Sequence, residues 1–453
     1  MMKSQQKCIV IFALVCCFAV LVALIFSAVD VWGEDEDGIT EDNCSNTCRA
    51  VVVENIPVDT SLPHNGSVPL TTGLHQLLDL ALRSVEIVSP QWMLNSTEYE
   101  SSFPTAKQGR FLLHRLMGLK SKRVNLKVAS GVMDSKELDV LTRHGAEVHY
   151  LNMNILTKGH LQSSFWVVDR RHLFIGSASM DWRALSTLKE MGVIIYECSC
   201  LALDLHRIFS LYWQLQYKEF IPSIWSKRLN GLYNKNNTLS MFLDGSKAEA
   251  YVSSSPDALC PKYRMRDIDA IFRVIQGAKK FIYISVTDYL PLIKTSQQRY
   301  WSQIDGMLRE ALILKNISVR LLISCWAQTN SLTFNFVWSL KSLCMEMANC
   351  SLEAKFFSPR EKGEEHVRQI NHNRYMVTDT AVYIGNFDWV GNEFLYNAGA
   401  GLVVQQDRDD EGNSTLVQRV TAVFERDWFS HYAKTLQPSK IPVCSKHATQ
   451  PPS

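Results

Sequence analysis

The sequence predicts an α/β protein whose body is one unit of alternating helices and strands present twice, preceded by a single membrane-spanning helix. Three observations support this fold class: an uncharged apolar run near the N-terminus, the same order of helix-like and strand-like stretches in both halves, and one motif that recurs in the second half. A composition of 46% hydrophobic and 20% charged residues over 453 positions excludes a disordered or collagen-like chain. The net charge of +2 gives no sign of a general nucleic-acid binder.

The N-terminal apolar run covers residues 8–29 and contains no charged side chain. As a helix rising about 1.5 Å per residue it spans about 33 Å, which matches the hydrocarbon core of a bilayer. Two lysines precede the run and seven acidic residues follow it, so the positive-inside rule places the short N-terminus in the cytosol. We predict a cytosolic tail at 1–7, a signal-anchor at 8–29 and an acidic, cysteine-containing stalk at 30–50. The alternative is a cleaved signal peptide, with residues 27–29 as its cleavage site.

The chain beyond the anchor has the features of a lumenal or extracellular protein. Nine of the twelve cysteines follow residue 29, and disulfides form in oxidising compartments. Seven N-glycosylation sequons also lie there, at Asn43, Asn65, Asn95, Asn236, Asn316, Asn349 and Asn413. We predict a single-pass type II membrane glycoprotein whose body faces the lumen of the endoplasmic reticulum, later secretory or endolysosomal compartments, or the cell exterior.

Four cysteines form two closely spaced groups, Cys44 with Cys48 and Cys198 with Cys200. They are candidates for disulfides that tie the stalk to the body, and a metal site is the rival interpretation. Because no His or Asp stands at ligand spacing beside them, we predict no metal. Nine is an odd number, so one cysteine is expected to stay unpaired. We expect it to be Cys325, which lies in an apolar, strand-like run.

Helices and strands alternate in the same order in both halves of the body. Strand-like runs that each follow a stretch of helical apolar spacing lie at 85–88, 125–128 and 147–150, and again at 281–284, 319–322 and 352–356. This order predicts two similar lobes, each a mixed sheet covered by helices. The predicted boundaries are a first lobe at 51–228, a linker at 229–256 that is rich in Asn, Ser and Gly, a second lobe at 257–437 and a C-terminal tail at 438–453.

The recurring motif is the clearest sign of duplication. Residues 162–182 read QSSFWVVDRRHLFIGSASMDW, and residues 372–389 read HNRYMVTDTAVYIGNFDW. Both copies predict a strand, a turn and a second strand that ends in Ile-Gly, followed by Asp-Trp. The tryptophans in and after these copies are expected to lie in the core: Trp166, Trp182, Trp389 and Trp428.

These motifs resemble those of the phospholipase D superfamily, whose mark is two copies of His-x-Lys-x4-Asp, each followed by Gly-Ser-x-Asn. The anchor, the Cys-Ser-Cys run and the phrases FWVVD, NHNRYMVTD and IGNFDWVGN are similar to the membrane-anchored, lumenal branch of that family, and the match to an inactive member is close. The resemblance covers essentially the whole chain. It implies two phospholipase-D-like lobes that face each other.

For active members, the resemblance implies a mechanism that needs a histidine from each lobe. One histidine attacks phosphorus, and the other protonates the leaving oxygen and later activates water. The two lysines hold the phosphate, and the Asp orients the histidine. Because alternate side chains of a strand share a face, His and Lys two residues apart both point at one phosphate.

The first copy in this chain departs from that pattern. Gln162 stands in place of His, Ser164 in place of Lys, and Ser179 in place of the Asn of Gly-Ser-x-Asn, while Asp169 is kept. An amide cannot attack phosphorus or carry a proton near neutral pH. Since paired catalytic groups act as a unit, the loss of one removes most of the rate.

The second copy is less degenerate. His372 and Asp379 are kept, Arg374 replaces Lys, and Asp388 stands in place of the last Asn. His372 and Arg374 are candidates for an anion site, because a guanidinium binds phosphate or sulfate as a fork. For Asp379 and its counterpart in the first copy, we expect a structural role in binding nearby backbone or Arg groups.

We therefore predict an inactive phospholipase D family pseudoenzyme that needs no cofactor and binds a phosphate-bearing ligand or a protein partner. Two alternatives stay open. One is residual or altered phosphodiesterase activity, as a nuclease or phospholipase, that uses His372 alone or with the nearby His160 and Lys158. The other is a structural partner that forms a homodimer or a heterodimer with an active relative.

Overall fold

The computed structural model of the chain describes residues 12–22, 44–58, 60–131, 133–294, 297–345, 350–358, 370–406, 414–437 and 444. The strands of the first half are β1 (Arg49–Asn55), β2 (Val68–Pro69), β3 (Ser84–Ser89), β4 (Trp92–Met93), β5 (Asn125–Ser130), β6 (Glu147–Tyr150), β7 (Phe165–Val168), β8 (His172–Gly176), β9 (Met180–Asp181) and β10 (Glu190–Tyr196). Its helices are α1 (Leu70–Leu80), α2 (Lys107–Met117), α3 (Lys136–Arg143), α4 (Met153–Thr157) and α5 (Ser199–Trp213).

The second half repeats this alternation. Its strands are β11 (Leu239–Leu243), β12 (Ser246–Ser255), β13 (Met265–Arg266), β14 (Phe281–Val286), β15 (Tyr289–Leu290), β16 (Leu292–Lys294), β17 (Gln298–Tyr300), β18 (Ser318–Ser324), β19 (Leu352–Phe357), β20 (Tyr375–Thr378), β21 (Ala381–Ile384), β22 (Trp389–Val390), β23 (Gly399–Gln405) and β24 (Ala433–Thr435). Its helices are α6 (Asp267–Gly277), α7 (Ser302–Leu314), α8 (Ser331–Ser342), α9 (Gly391–Tyr396) and α10 (Leu416–Trp428).

Each half contributes one large sheet. The first has eight strands in the order β2-β1-β10-β8-β7-β3-β5-β6. The second has ten, in the order β11-β12-β23-β21-β20-β14-β18-β19-β24, with β13 paired to β12. In both sheets the three strands at one side run parallel, β3-β5-β6 and β14-β18-β19, and the first strand of the motif, β7 or β20, runs antiparallel to them. The prediction of a mixed α/β fold is confirmed, and each predicted strand-like run lies within one of these strands.

The motif strands lie in the middle of their sheets, where both faces are covered. All four residues of β7 and all four of β20 are buried, which explains why these segments are continuous apolar runs without alternation. The late helices α5 and α10 pack against the motif strands of their own half. Each also contacts the other half, α5 through β12 and α10 through β1, so that one core includes side chains from both halves. The four tryptophans expected in the core are all buried.

The structure differs from the prediction at the segment 229–256. Instead of a plain linker it contains the hairpin β11–β12, and β12 pairs with β23 over seven residues. The signal was present in β11, where Leu239, Met241 and Leu243 are buried and the intervening residues are exposed. The Asn, Ser and Gly residues around it obscured this alternation.

No helix among the described residues is both long enough and apolar enough to cross a bilayer. Of the predicted anchor at 8–29, only residues 12–22 are described, and they are helical. The remainder of that segment, the tail at 1–7 and residues 30–43 of the stalk lie outside the described residues.

Four disulfides connect the described cysteines of the body. Cys44–Cys200 and Cys48–Cys198 join the chain before β1 to the start of α5, as expected of these two groups. Cys344–Cys350 closes a short loop, and Cys325 is bonded to Cys444. The prediction that Cys325 is unpaired is therefore wrong. Cys325 comes directly after the end of β18 and not within the strand, and its partner is 119 residues further along the chain. Cys260 is the cysteine without a disulfide among those described beyond residue 43.

Candidate functional site

A cavity of about 960 Å³ lies where the two copies of the motif meet, and residues of both halves line it. Gln162 and Ser179 come from the first copy. His372, Arg374 and Asp388 come from the second copy. These are five of the eight vestigial motif positions, which makes this cavity the candidate site.

Backbone hydrogen bonds between the halves hold both copies at the cavity. The amide of Gln162 donates to the carbonyl of Ala398 at 2.8 Å, and the amide of His372 donates to the carbonyl of Lys189, also at 2.8 Å. The first residue of each motif copy is therefore hydrogen-bonded to the backbone of the opposite half. These two contacts use backbone groups only.

The side chain of Gln162 is fixed at both ends. Its Nε2 donates to Glu393 Oε2 at 3.0 Å, and its Oε1 accepts a hydrogen bond from Asn397 Nδ2. The carboxamide thus occupies the place that the resemblance assigns to a histidine. It has neither a nucleophilic lone pair nor a transferable proton to offer.

His372 is also engaged at both ring nitrogens. Nδ1 lies 2.8 Å from Glu190 Oε1, and Nε2 lies 2.8 Å from Arg374 Nη2. Because a guanidinium can only donate, Nε2 must be the acceptor and Nδ1–H the donor to Glu190. The lone pair that would attack phosphorus is therefore directed at Arg374.

Arg374 is neutralised within its own half. Its Nε and Nη2 donate to Asp388 Oδ2 at 3.2 and 3.0 Å, and only 10% of its side chain is exposed. Burial opposes the charged form, but the charges of Asp388, Glu393 and Glu190 and the hydrogen bond to Asp388 together outweigh it and keep the pKa of Arg374 above its ordinary value. The other oxygen of Asp388 accepts from the amides of Thr287 and Asp288 at 2.7 and 3.1 Å. Asp388, which stands where the family has Asn, is thus bound to the guanidinium of Arg374, the group that would otherwise be available to bind phosphate.

The first copy supplies no cation in return. Ser164 is 2% exposed, and its hydroxyl donates to the carbonyl of Ala178. Ser179 reaches the cavity wall but brings only a hydroxyl. A phosphate in this cavity would lack the pair of charges that the intact motif provides.

The two retained aspartates lie away from the histidine position, at the far ends of their strands. Asp169 accepts hydrogen bonds at 2.7–2.8 Å from the amides of residues 82–84. Asp379 accepts two at 3.0 Å from the amides of residues 279–280. In both halves the carboxylate thus links the end of the first motif strand to the residues at the start of the neighbouring strand, β3 or β14. Both sets of contacts are to backbone amides, as a structural role would require, and that role stays a prediction.

His160 and Lys158 do not restore the missing pair. His160 lines the cavity with an exposed side chain, and its amide donates to Asn397 Oδ1 at 2.9 Å. Lys158 is exposed in a left-handed conformation with φ of 61°. The imidazole belongs to the wall of the cavity, but it does not take the place filled by Gln162.

Sequence reasoning missed three carboxyl groups in or next to this cavity. Glu190 is fully buried and bonds both His372 and the hydroxyl of Ser177. Asp288 and Glu393 line the cavity itself. A signal was available for the two glutamates, because each follows the Asp-Trp pair of its own copy. Their contact with the opposite motif could not be read from the sequence.

Burial raises the pKa of Glu393 to about 8 and that of Asp288 to about 7, and the negative charge of Asp388 adds to both effects. Both carboxyls lie near one guanidinium, that of Arg374, which Asp388 already binds. The cavity is therefore rich in carboxyl groups. Among the described residues, no group of three or more His, Cys, Asp or Glu side chains is placed to hold a metal ion.

Four of the candidate glycosylation asparagines are described, and all four are exposed: Asn65, Asn95, Asn236 and Asn316. The other three, Asn43, Asn349 and Asn413, lie outside the described residues. Their modification stays a prediction.

The duplicated sheets and the two motif strands that meet in one cavity define a phosphodiesterase-type site in which one of the two histidines, at position 162, is missing. A family profile described as PLD3/4, PLD-like domain matches residues 63–362, and the chain belongs to this phospholipase D family. It is 53% identical over 454 residues to inactive phospholipase D5 of Mus musculus, covering 98% of this chain and 84% of that protein. The human protein of the same name is 52% identical over the same shares.

More distant relatives are named as enzymes. The 5'-3' exonuclease PLD3 of Xenopus laevis is 37% identical over 94% of this chain and 89% of its own length. Among solved structures, phosphatidylserine synthase of Haemophilus influenzae matches with a TM-score of 0.53 at 10% identity, covering 81% of this chain and 85% of that one. That likeness supports the fold alone. The relatives named inactive, taken with the departures at Gln162 and Ser164, confirm the prediction of an inactive family member.

Proposed function

We propose that this protein is a membrane-anchored, lumenal pseudoenzyme that acts by binding a ligand or partner in the cavity between two phospholipase-D-like lobes. The observation that carries the proposal is the double hydrogen bonding of Gln162 to Glu393 and Asn397. A position that is merely unused would leave this side chain free. Here it is built into a network that holds the two copies together, so the cavity is maintained without its chemistry.

The two-lobe arrangement is supported by the matching strand orders of the two sheets. The lobes we propose are those of residues 51–228 and 257–437, with β11 and β12 of the segment 229–256 added to the second. The late helix of each lobe packs against a strand of the other. The two lobes are therefore expected to unfold together.

The membrane anchor and lumenal location have independent support. The apolar side chains of residues 12–22 are exposed in the isolated chain, Phe12 by 72% and Phe18 by 70%, as expected for a helix that is surrounded by lipid. Two disulfides fix residues 44 and 48 to the body, so the stalk ends on a rigid attachment. Stable disulfides and exposed sequon asparagines both fit a lumenal body.

The anion site expected at His372 and Arg374 remains a proposal. To bind Arg374, a phosphate would have to displace Asp388, whose Oδ2 lies 3.0 Å from Arg374 Nη2. We therefore favour a binding role for the cavity that does not depend on this edge.

The proposal is tested with the full-length chain purified in detergent and assayed on a chromogenic phosphodiester and on single-stranded DNA. We expect no turnover above that of the His372→Ala variant. Turnover that is lost on His372→Ala would contradict the proposal, because it would show that one histidine suffices.

A further inference from the structure

We propose that the cavity binds a cationic group, an alkylammonium or a guanidinium, where active relatives would bind a phosphodiester. This inference rests on the proposed binding function and specifies its ligand. The observation behind it is a reversal of charge: replacements in both copies have removed cations from the cavity wall or added carboxylates to it.

The cations on the wall are already paired. Arg374 is bound by Asp388, and Arg183 donates to Asp181 from Nε at 2.9 Å. Two further carboxyls line the same cavity, Asp288 and Glu393. Neither has a salt-bridge partner among the described residues, so a cation would complete the site.

The hydrogen bonds of these two carboxyls leave one oxygen of each unused. Glu393 Oε2 accepts from Gln162 Nε2 and from the amide of Asp388, at 3.0 and 2.8 Å. Asp288 Oδ1 accepts from Trp326 Nε1 at 3.3 Å. Within the part of the chain that the structure describes, Glu393 Oε1 and Asp288 Oδ2 accept no hydrogen bond. All the donors present are neutral, and they stabilise a carboxylate less than a cation would.

A buried hydroxyl, which can both donate and accept, also lies in this wall, and it points to a ligand independently of charge. Thr287 lines the cavity and is 3% exposed, yet its Oγ1 has no hydrogen-bond partner among the described residues. Buried hydroxyl groups are nearly always hydrogen-bonded, so an unpartnered one in a cavity wall indicates a missing partner. The amide of Thr287 donates to Asp388, which fixes this residue next to the carboxyls.

An ammonium group has three N–H donors and no acceptor, so once the two carboxyls are ionised it can donate to both of them and to the hydroxyl oxygen of Thr287. A guanidinium offers five donors and fits the same set. A phosphate would bring further acceptors and negative charge to a wall that already has an excess of both. For these reasons an organic cation is the ligand class that the cavity fits.

The protonation of the carboxyls is consistent with this. Burial raises the pKa of Glu393 to about 8 and that of Asp288 to about 7, so the empty cavity holds protons where a cation would sit. A bound cation lowers both pKa values, and binding should therefore release protons and weaken as the pH falls from 8 to 5. The other charged or titratable groups around the pair are Asp388, Arg374, His372, Glu190, His160, Asp181 and Arg183.

The test uses calorimetric titration of the full-length chain in detergent at pH 8. Two probes carry the ammonium, spermidine and the peptide acetyl-Gly-Lys-Gly-amide, and the norleucine version of the peptide lacks the charge. Inorganic phosphate at equal ionic strength is the anionic comparison. We expect saturable binding of the lysine peptide, of spermidine or of both, with none for norleucine. Which arm binds more tightly tells whether a protein side chain or a free polyamine is the source.

The variants Glu393→Gln and Asp288→Asn keep the shape of the wall and should each weaken cation binding about tenfold or more. Thr287→Val is a milder second change, and Glu310→Gln, on the exposed face of α7, is the matched control that should bind as the wild type does. Binding of phosphate but of neither amine would overturn the inference, as would affinity unchanged in both carboxyl variants. These outcomes would leave the proposed function intact, whereas phosphodiester turnover would contradict that function.

Discussion

Asp388 binds Arg374 within the second copy of the motif, with Oδ2 3.0 Å from Nη2 and 3.2 Å from Nε. The arginine in turn donates to His372 Nε2 at 2.8 Å. One replacement, an aspartate where the family has Asn, therefore binds the cation that would hold phosphate. It also keeps that cation, Arg374, in contact with the retained histidine. We infer that inactivity has two causes, one in each copy, and expect mutation to separate them.

The second cause is tested by Asp388→Asn, which should allow the chain to bind phosphate. Asparagine can still accept from the amides of Thr287 and Asp288, but it no longer neutralises Arg374. We expect a melting temperature that rises with phosphate concentration in the variant and not in the wild type. Without phosphate, the loss of the charged hydrogen bonds should destabilise the fold by about 1–3 kcal/mol.

The control for this variant is Asp269→Asn, which removes an exposed ion pair with Arg266 outside the cavity. It should change stability by less than about 1 kcal/mol and give no response to phosphate. A wild type and an Asp388→Asn variant that respond equally to phosphate would contradict the role given to this salt bridge.

Restoring the first copy alone should not restore activity. In Gln162→His with Ser164→Lys the missing imidazole and ammonium return, but Arg374 still occupies His372 Nε2. We expect turnover of a chromogenic phosphodiester only when Arg374→Lys and Asp388→Asn are added.

Adding His372→Ala to that fourfold variant should abolish the turnover, because both histidines are needed. Turnover by the double variant alone would show that the second copy is still competent. The salt bridge would then have no part in inactivity.

Sequence patterns predicted the sheets well where the signal is local. The apolar runs that became β3, β5 and β6 and their counterparts follow from periodicity alone, and the loss of His at 162 follows from the alignment of the two copies. The hairpin β11–β12 was obscured by its Asn, Ser and Gly residues, although its burial alternates as in an ordinary edge strand.

What could not be predicted depends on contacts between distant parts of the chain. Gln162 and Glu393 are separated by 231 positions, and their hydrogen bond forms only once the two halves are packed. The Cys325–Cys444 disulfide spans 119 positions, and an apolar neighbourhood indicates burial of a cysteine but not its partner. Asp288 could not be found from the charges of the motif positions, because it lies outside both copies.

Asn386 is expected to hold the two halves together. Its Nδ2 donates to the carbonyl of Gly176 at 2.8 Å, and its Oδ1 accepts from the amide of Ala400 at 3.0 Å. Asn386→Ala leaves two buried backbone groups unpaired and should lower the free energy of unfolding by about 2–4 kcal/mol in denaturant titration. Asn154→Ala on the exposed face of α4 should change it by less than about 0.5 kcal/mol. Equal effects of the two changes would argue against a bridging role.

The pH dependence of stability should reveal the buried ion network between β1 and α10. Arg426 binds Glu54 through Nη2 at 2.7 Å, and Lys189 lies 3.7 Å from the same carboxylate. Burial alone would raise the pKa of Glu54, but the hydrogen bonds from Arg426 and the charge of Lys189 outweigh it and lower the pKa to about 2.

A carboxyl whose pKa is lower in the folded state stabilises the fold above its ordinary pKa, and this contribution disappears as the pH falls from about 4.5 towards 2. For Glu54 the contribution is on the order of 3 kcal/mol. Glu54→Gln should destabilise the protein at pH 7 by about 3–5 kcal/mol, since two buried cations lose a partner. The difference from wild type in urea titrations should then shrink as the pH is lowered through this window. Glu353→Gln, at a surface pair with Arg320, should show no such trend. A difference for Glu54→Gln that stays constant down to pH 2 would mean that this carboxylate is not held ionised by the network.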